Sequence, residues 1–160
     1  MPAAPRASTI TEERLEDAYA RLGPRLVETA YLLTFDQATA QDVVQDVFAA
    51  ALPRWSTIDD PERYLRRSVT LGAYKATRDR RRRTEKHERA AAGRGDQVDR
   101  IDHLLDQVRR LPAKERAVVV LRFYLDLSIG EIAEPLAMRQ GSVGPTLTRA
   151  LRRLEGGMQE

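Results

Sequence analysis

The sequence has no cysteine, only two histidines and one tryptophan, and its aromatic content is 6%. Without thiols there can be no disulfide and no thiolate chemistry, and His87 and His103 are too few and too far apart for a dedicated metal site. Both histidines are expected to face solvent. No stretch approaches the unbroken apolar span a bilayer requires, and the opening segment MPAAPRASTITEE has no apolar core of signal-peptide length. On this reading the chain is a soluble cytoplasmic protein without membrane insertion. Alternating β-branched runs are scarce too, so no stretch reads as a convincing strand. Nor is there a nucleophile with its base, a carboxylate pair in an apolar pocket or a phosphate-cradling glycine loop. Neither an enzyme nor a cofactor is therefore expected.

What is present points to helices. Across 160 residues, 42% hydrophobic content is enough for one domain or two small ones, and Ala, Leu, Arg and Glu are abundant. Charge is divided along the chain: residues 36–60 hold one Arg against five Asp, whereas residues 61–100 hold thirteen Lys/Arg against six acids. This separation suggests a different partner for each sign.

Apolar residues recur at helical steps from Thr11 to Thr34, at Leu15, Ala18, Tyr19, Leu22, Leu26, Ala30 and Leu33, with a break or kink expected at Gly23-Pro24. Asp36 is placed to cap a second helix that ends before Pro53, with Ala40, Val43, Val44, Val47, Phe48 and Ala51 as its core stripe. A third helix starts at Pro61, capped by Asp59 or Asp60, carries Tyr64, Leu65, Val69, Leu71 and Tyr74, and is expected to dissolve into RDRRRR. The polar, glycine-containing stretch that follows reads as a flexible linker. Beyond it, RIDHLLDQVRRL and PAKERAVVVLRFYL are amphipathic, and Ser128 with Glu131 forms a capping box at the start of a short helix. An Arg-rich helix follows after a brief connection, which is the helix-turn-helix pattern. The expected fold class is all-α, two small helical domains at 11–83 and 99–155 joined by a linker at 84–98.

Each of these signals is common alone; their order is specific. AYLLTFDQATAQDVVQDVFAAALPRW, then DDPERYLRRSVTLGAYKATRDRRRR, then LPAKERAVVVLRFYLDLSIGEIAEPLA, closely resembles the extracytoplasmic-function group of bacterial RNA polymerase sigma factors, within the sigma-70 family. The resemblance spans about residues 12–83 and 101–154. It implies a transcription initiation factor that gives promoter choice to core RNA polymerase. The first domain would bind the clamp helices of the largest subunit through Gln41, Asp42, Gln45 and Asp46. It would meet the downstream promoter element through Arg66, Arg67, Lys75, Arg78, Arg80, Arg81, Arg82 and Arg83, whose clustered charge suits phosphate neutralisation. The tryptophan that many members carry beside this stretch is absent, and Trp55, Tyr64 and Tyr74 are expected in the core. The second domain would touch the flap of the second-largest subunit and read upstream promoter DNA through Arg139, Ser142, Thr146, Arg149 and Arg153. The resemblance also leaves room for an anti-sigma factor.

One segment departs from the pattern. In RQGSVGPTLTRA, Gly144 stands where the family usually has lysine, Pro145 where it has serine and Thr146 where it has arginine; Ala137 replaces the glycine of the turn. A proline in the second turn costs about 3 kcal/mol through a lost hydrogen bond and a clash with the preceding carbonyl. The expected recognition helix therefore starts at Ser142 or later, shortened by about a turn. Pro135 should end the preceding helix near Glu134. Weak or unusual upstream reading, with mainly phosphate contacts, stands beside ordinary binding by a slightly rebuilt helix. Two other readings are a helix-turn-helix regulator acting without polymerase and a degenerate sigma-like chain that occupies polymerase or an anti-sigma factor. The first leaves the QDVVQDVF helix and RDRRRR without a role; the second rests on Pro135, Pro145 and the lost lysine.

Overall fold

A computed structural model describes residues 13–84 and 100–158, with side chains over 13–80 and 103–157. Among the described residues every regular element is helical. His87 and the expected linker, apart from Thr84, lie outside the described residues.

Helix α1, Leu15–Thr34, runs through Pro24 without interruption, so the segment expected to break or kink is helical throughout. Pro24 and Ala20 are both exposed, so water can serve the Ala20 carbonyl that the proline leaves without a donor. The helix ends at Phe35, in the left-handed region with φ 50°, whose N–H returns to the Tyr31 carbonyl at 2.6 Å. Asp36 then caps α2, Gln37–Ala51, accepting the Thr39 N–H at 3.0 Å. That hydrogen bond, with the Arg80 charge beside it, holds the Asp36 carboxyl below its ordinary range.

A 3-10 segment, Leu52–Thr57, leads to α3, Pro61–Thr84, where Asp60 accepts the Arg63 N–H at 3.1 Å. Far from dissolving at RDRRRR, α3 continues to Thr84. Arginine is a good helix former, and the segment is tied back by Arg80 to Asp36 at 2.9 Å and by the Thr77 hydroxyl to the carbonyls of Leu33 and Ala73.

The three helices close on Ala18, Leu26, Ala30, Val44, Phe48, Leu65, Val69 and Ala73. Of the expected α2 stripe, Val43 and Val47 are half-buried, and Leu71 of α3, expected inside, is 48% exposed. Helices α2 and α3 approach closely at Gly72, where a Cβ would stand 3.1 Å from Val43 Cγ1. Trp55 packs against the core and its indole donates to the Glu13 carbonyl at 2.7 Å; Tyr74 is buried and Tyr64 half-buried.

In the second group α4, Arg100–Arg110, precedes α5, Ala113–Val119, which passes into a π-helical turn at Val120–Tyr124. Then come α6, Ile129–Ala133, and α7, Gln140–Met158. The capping box is formed: Ser128 and Glu131 exchange backbone and side-chain hydrogen bonds, each at 3.3 Å. As expected from Pro135, α6 ends early, with Glu134 as its C-cap. Ala137, in the turn, has φ 52°, a conformation in which glycine is unstrained and alanine is not. The core here is Val118, Leu121, Ile132, Leu136, Val143, Ala150 and Leu154.

Polar contacts join the two groups. Arg116 of α5, 8% exposed, donates from Nε to the Leu33 carbonyl at 3.1 Å and from Nη1 to the Arg109 carbonyl at 2.9 Å, and lies over the Phe35 ring at 5.5 Å. Burial, and secondarily the Arg109 charge, depress its pKa. The Tyr124 hydroxyl donates to the Glu28 carboxylate, Arg25 lies over the Tyr124 ring, and Arg67 of α3 pairs with Glu134 at 2.9 Å. Through this pair the C-cap of the short helix of the helix-turn-helix is tied to α3.

Candidate polymerase-binding and nucleic-acid-binding surfaces

On α2 the residues Gln41, Asp42, Gln45 and Asp46 are all exposed, while Ala40, Val44, Phe48 and Ala51 are buried. Spacings of four along a helix put Gln41 above Gln45 and Asp42 above Asp46, so the four make one polar face. Neither carboxylate has a hydrogen bond or ion pair among the described residues. Beside this face a groove of about 400 Å³ runs between α2 and α3, lined by Val43, Asp46 and Val47 on one side and by Ser68, Gly72 and Lys75 on the other. Sequence reasoning found the acidic face but missed the groove; the signal was Gly72, a glycine inside a helix whose neighbours are all larger.

The basic residues of α3 do not act as one surface. At about 100° per residue, Arg67, Lys75 and Arg78 share one side, while Arg66 and Arg80 fall on another. Arg66 is half-buried and pairs with Glu62 at 3.2 Å, and Arg80 is held by Asp36. On the other side, Arg67 is engaged by Glu134, Arg78 lies 5.9 Å from the Tyr74 ring, and Lys75 and Arg78 border a groove closed by Pro135, Leu136 and Ala137. The backbone at Arg81, Arg82 and Arg83 is helical; their side chains lie outside the described ones.

Helix α7 begins at Gln140, not at Ser142 or later, and so is not shortened. Pro145 falls in its second turn, a placement expected to be too costly. Two glycines make it tolerable. Gly144, with nothing within 4 Å of the point a Cβ would occupy, accepts the restriction proline puts on its predecessor, and exposed Gly141 carries the carbonyl left without a donor, which water can reach. Arg139 precedes the helix, exposed, and its carbonyl accepts the Ser142 N–H at 2.9 Å.

The other upstream candidates are differently placed. Thr146 is 2% exposed; its hydroxyl donates to the Ser142 carbonyl at 2.7 Å and accepts from Arg149 at 3.1 Å. Arg149 and Arg153 flank Glu115 of α5, itself 6% exposed, with Nε atoms 3.8 and 3.0 Å from its carboxylate oxygens. Glu115 was not foreseen, because LPAKER gives no hint that its acid points at a helix thirty-odd residues on. Arg152, exposed beside Thr148, was also overlooked within RALRRL.

The description Sigma-70 region 2 matches residues 18–83, and Sigma-70, region 4 matches residues 101–154. The RNA polymerase sigma-E factor of Streptomyces coelicolor is 35% identical over 136 residues, 81% of this chain and 77% of that protein. The chain belongs to the extracytoplasmic-function group of the sigma-70 family. It is a sigma factor that directs transcription initiation. The RNA polymerase sigma-E factor of Streptomyces antibioticus is 34% identical over 147 residues, 87% of this chain and 77% of that one.

Two solved structures share the sigma factor's fold. One, the sigma factor RpoE in complex with the anti-sigma factor NepR from Bartonella quintana, has a TM-score of 0.69 at 19% identity, covering 90% of this chain and 96% of that chain. The other, CnrH in complex with the cytosolic domain of CnrY, has a TM-score of 0.63 at 24% identity, covering 91% and 87%. Among the described residues of this sigma factor, no helix is long and apolar enough to cross a membrane, and no group of three or more His, Cys, Asp or Glu is arranged to hold a metal ion.

Proposed function

We propose that the first domain, taken as 11–83, docks on the clamp helices of the polymerase largest subunit through Gln41, Asp42, Gln45 and Asp46. The observation that carries this is the exposed polar face of α2, whose two carboxylates have no partner within the described part of the chain. A basic helical partner supplies the missing counter-charge. Arg67, Lys75, Arg78 and the arginines at 81–83 then position downstream promoter DNA through its phosphates, with Arg66 and Arg80 shaping α3 from the other side. Glu134 must leave Arg67 for this surface to open. An anti-sigma factor of the kind named in the two solved complexes would act on these same surfaces. The protein works in the cytoplasm and leaves the chemistry to polymerase.

The second domain, 99–155, touches the flap and reads upstream DNA weakly. Of its five candidate contacts, Arg139 and Ser142 are exposed and have no side-chain partner among the described residues, Thr146 is buried, and Arg149 and Arg153 are drawn toward Glu115. With Gly144 and Pro145 at the front of α7, few donors are left to address base edges, so the helix contributes mainly phosphate contacts.

Run-off transcription with purified core polymerase on a genomic fragment library tests the assignment. The wild type initiates at a distinct promoter set; Asp42→Ala/Asp46→Ala, folded by circular dichroism, loses that set. If the folded double variant initiates like wild type, the α2 face is not the docking surface.

A further inference from the structure

One concentration of positive charge lies apart from the side of α3 that Arg67, Lys75 and Arg78 share. It lies in a cleft of about 500 Å³ where the two helical groups meet, between the end of α1 and α3 on one side and the α4–α5 corner on the other. Arg80 faces it from α3, Arg109 and Arg110 from the last turn of α4, and Arg116 from α5. No carboxylate lines the cleft among the described residues. Asp36, behind it, is paired with Arg80. The side chains of Arg109 and Arg110 are exposed and have no hydrogen bond or ion pair there.

Cations in the last turn of a helix suit its dipole, which accounts for Arg109 and Arg110 on α4. Two further arginines reach the same space from different elements, Arg80 paired with Asp36 and Arg116 bonded to the Leu33 and Arg109 carbonyls. Burial, and secondarily the Arg109 charge beside it, depress the Arg116 pKa, and among the described residues lining the cleft no carboxylate stands against Arg109 or Arg110. The exposed guanidiniums of Arg109 and Arg110, of fixed charge and planar fork geometry, with Arg80 and Arg116 in the walls, fit an anion with several oxygens and more than one negative charge, a phosphate chain rather than a single carboxylate. The volume is in the range of small-ligand sites.

We propose that this cleft binds an oligophosphate, the triphosphate of a nucleotide being the form that matches its size and charge. Arg109 and Arg110 are the anion's direct ligands, opposed by Arg80 across the cleft. Because its ligands come from both helical groups, the bound anion ties them together and favours the arrangement in which Glu134, at the end of α6, pairs with Arg67 of α3.

The test is isothermal titration of the full chain, without divalent cations, using inorganic tripolyphosphate, ATP and a short oligothymidylate as probes. Arg109→Gln/Arg110→Gln is compared with the charge-matched Arg122→Gln/Arg152→Gln, whose positions do not line the cleft. The expected result is saturable one-to-one binding of tripolyphosphate and ATP, weakened about tenfold per arginine and about a hundredfold in the first variant, with little change in the second. Equal weakening in both variants, or no saturable binding of either small probe, overturns the proposal. So does binding of oligothymidylate alone through Arg109 and Arg110, which would make the cleft a track for nucleic-acid backbone.

Discussion

Arg116 is a buried cation with no carboxylate paired to it among the described residues, and its replacement separates the hydrogen bonds it makes from the charge it carries. Its guanidinium serves two carbonyls from different elements, Leu33 at 3.1 Å and Arg109 at 2.9 Å, and covers the Phe35 ring. The Leu33 carbonyl belongs to the last turn of α1, where cations are favoured. Hydrogen bonds to charged groups contribute about 1.5–3 kcal/mol each, against a desolvation cost of several kcal/mol for the guanidinium. Arg116→Ala leaves a void and two under-served carbonyls, at about 1–3 kcal/mol for each unsatisfied group, so a loss of about 3 kcal/mol is expected. Arg116→Met fills the space and removes the burial cost of the charge, so about half of that loss should return. Urea denaturation of the wild type and both variants, followed by circular dichroism, measures the series, and a changed slope in Arg116→Ala would report that the two helical groups have ceased to unfold together. If Arg116→Ala matches the wild type within about 0.5 kcal/mol, the guanidinium is not bridging α1 and α5 and the reasoning fails.

Ala137→Gly relieves a left-handed residue at φ 52°. The left-handed conformation costs alanine about 1–2 kcal/mol, while glycine adds about 0.4–1 kcal/mol of unfolded-state entropy, so a net gain of about 0.5–1 kcal/mol is expected in the same urea assay; a loss would mean the turn is not held as described. Gly144→Lys with Pro145→Ser should strengthen α7, since nothing stands within 4 Å of a Cβ at Gly144, and should raise affinity for an upstream-element duplex. Its salt dependence should steepen by about one phosphate contact; an unchanged affinity and slope in a fluorescence-anisotropy titration would show that these two residues do not weaken upstream reading.

Much of the fold was readable because its signals are local. Asp36, Asp60 and the Ser128/Glu131 box each act within three residues, and all three caps form where the chain chemistry puts them. Proline was the least transferable signal. At Pro135 it ended α6 as expected, whereas at Pro24 and Pro145 the helix ran through; exposure of the freed carbonyl does not separate them, since Glu131, four residues before Pro135, is exposed like Ala20 and Gly141. The candidate site divides the same way. The acidic face of α2 follows from spacing within one helix, but the burial of Thr146 and the hold of Glu115 on Arg149 and Arg153 are set by α5 packing on α7, a contact between segments far apart in sequence. A run of arginines therefore announces positive charge without saying which of them is free to meet a phosphate. On α3 that choice is made by Glu62 within the helix and by Asp36 and Glu134 at the ends of its neighbours, and on α7 by Glu115 of α5.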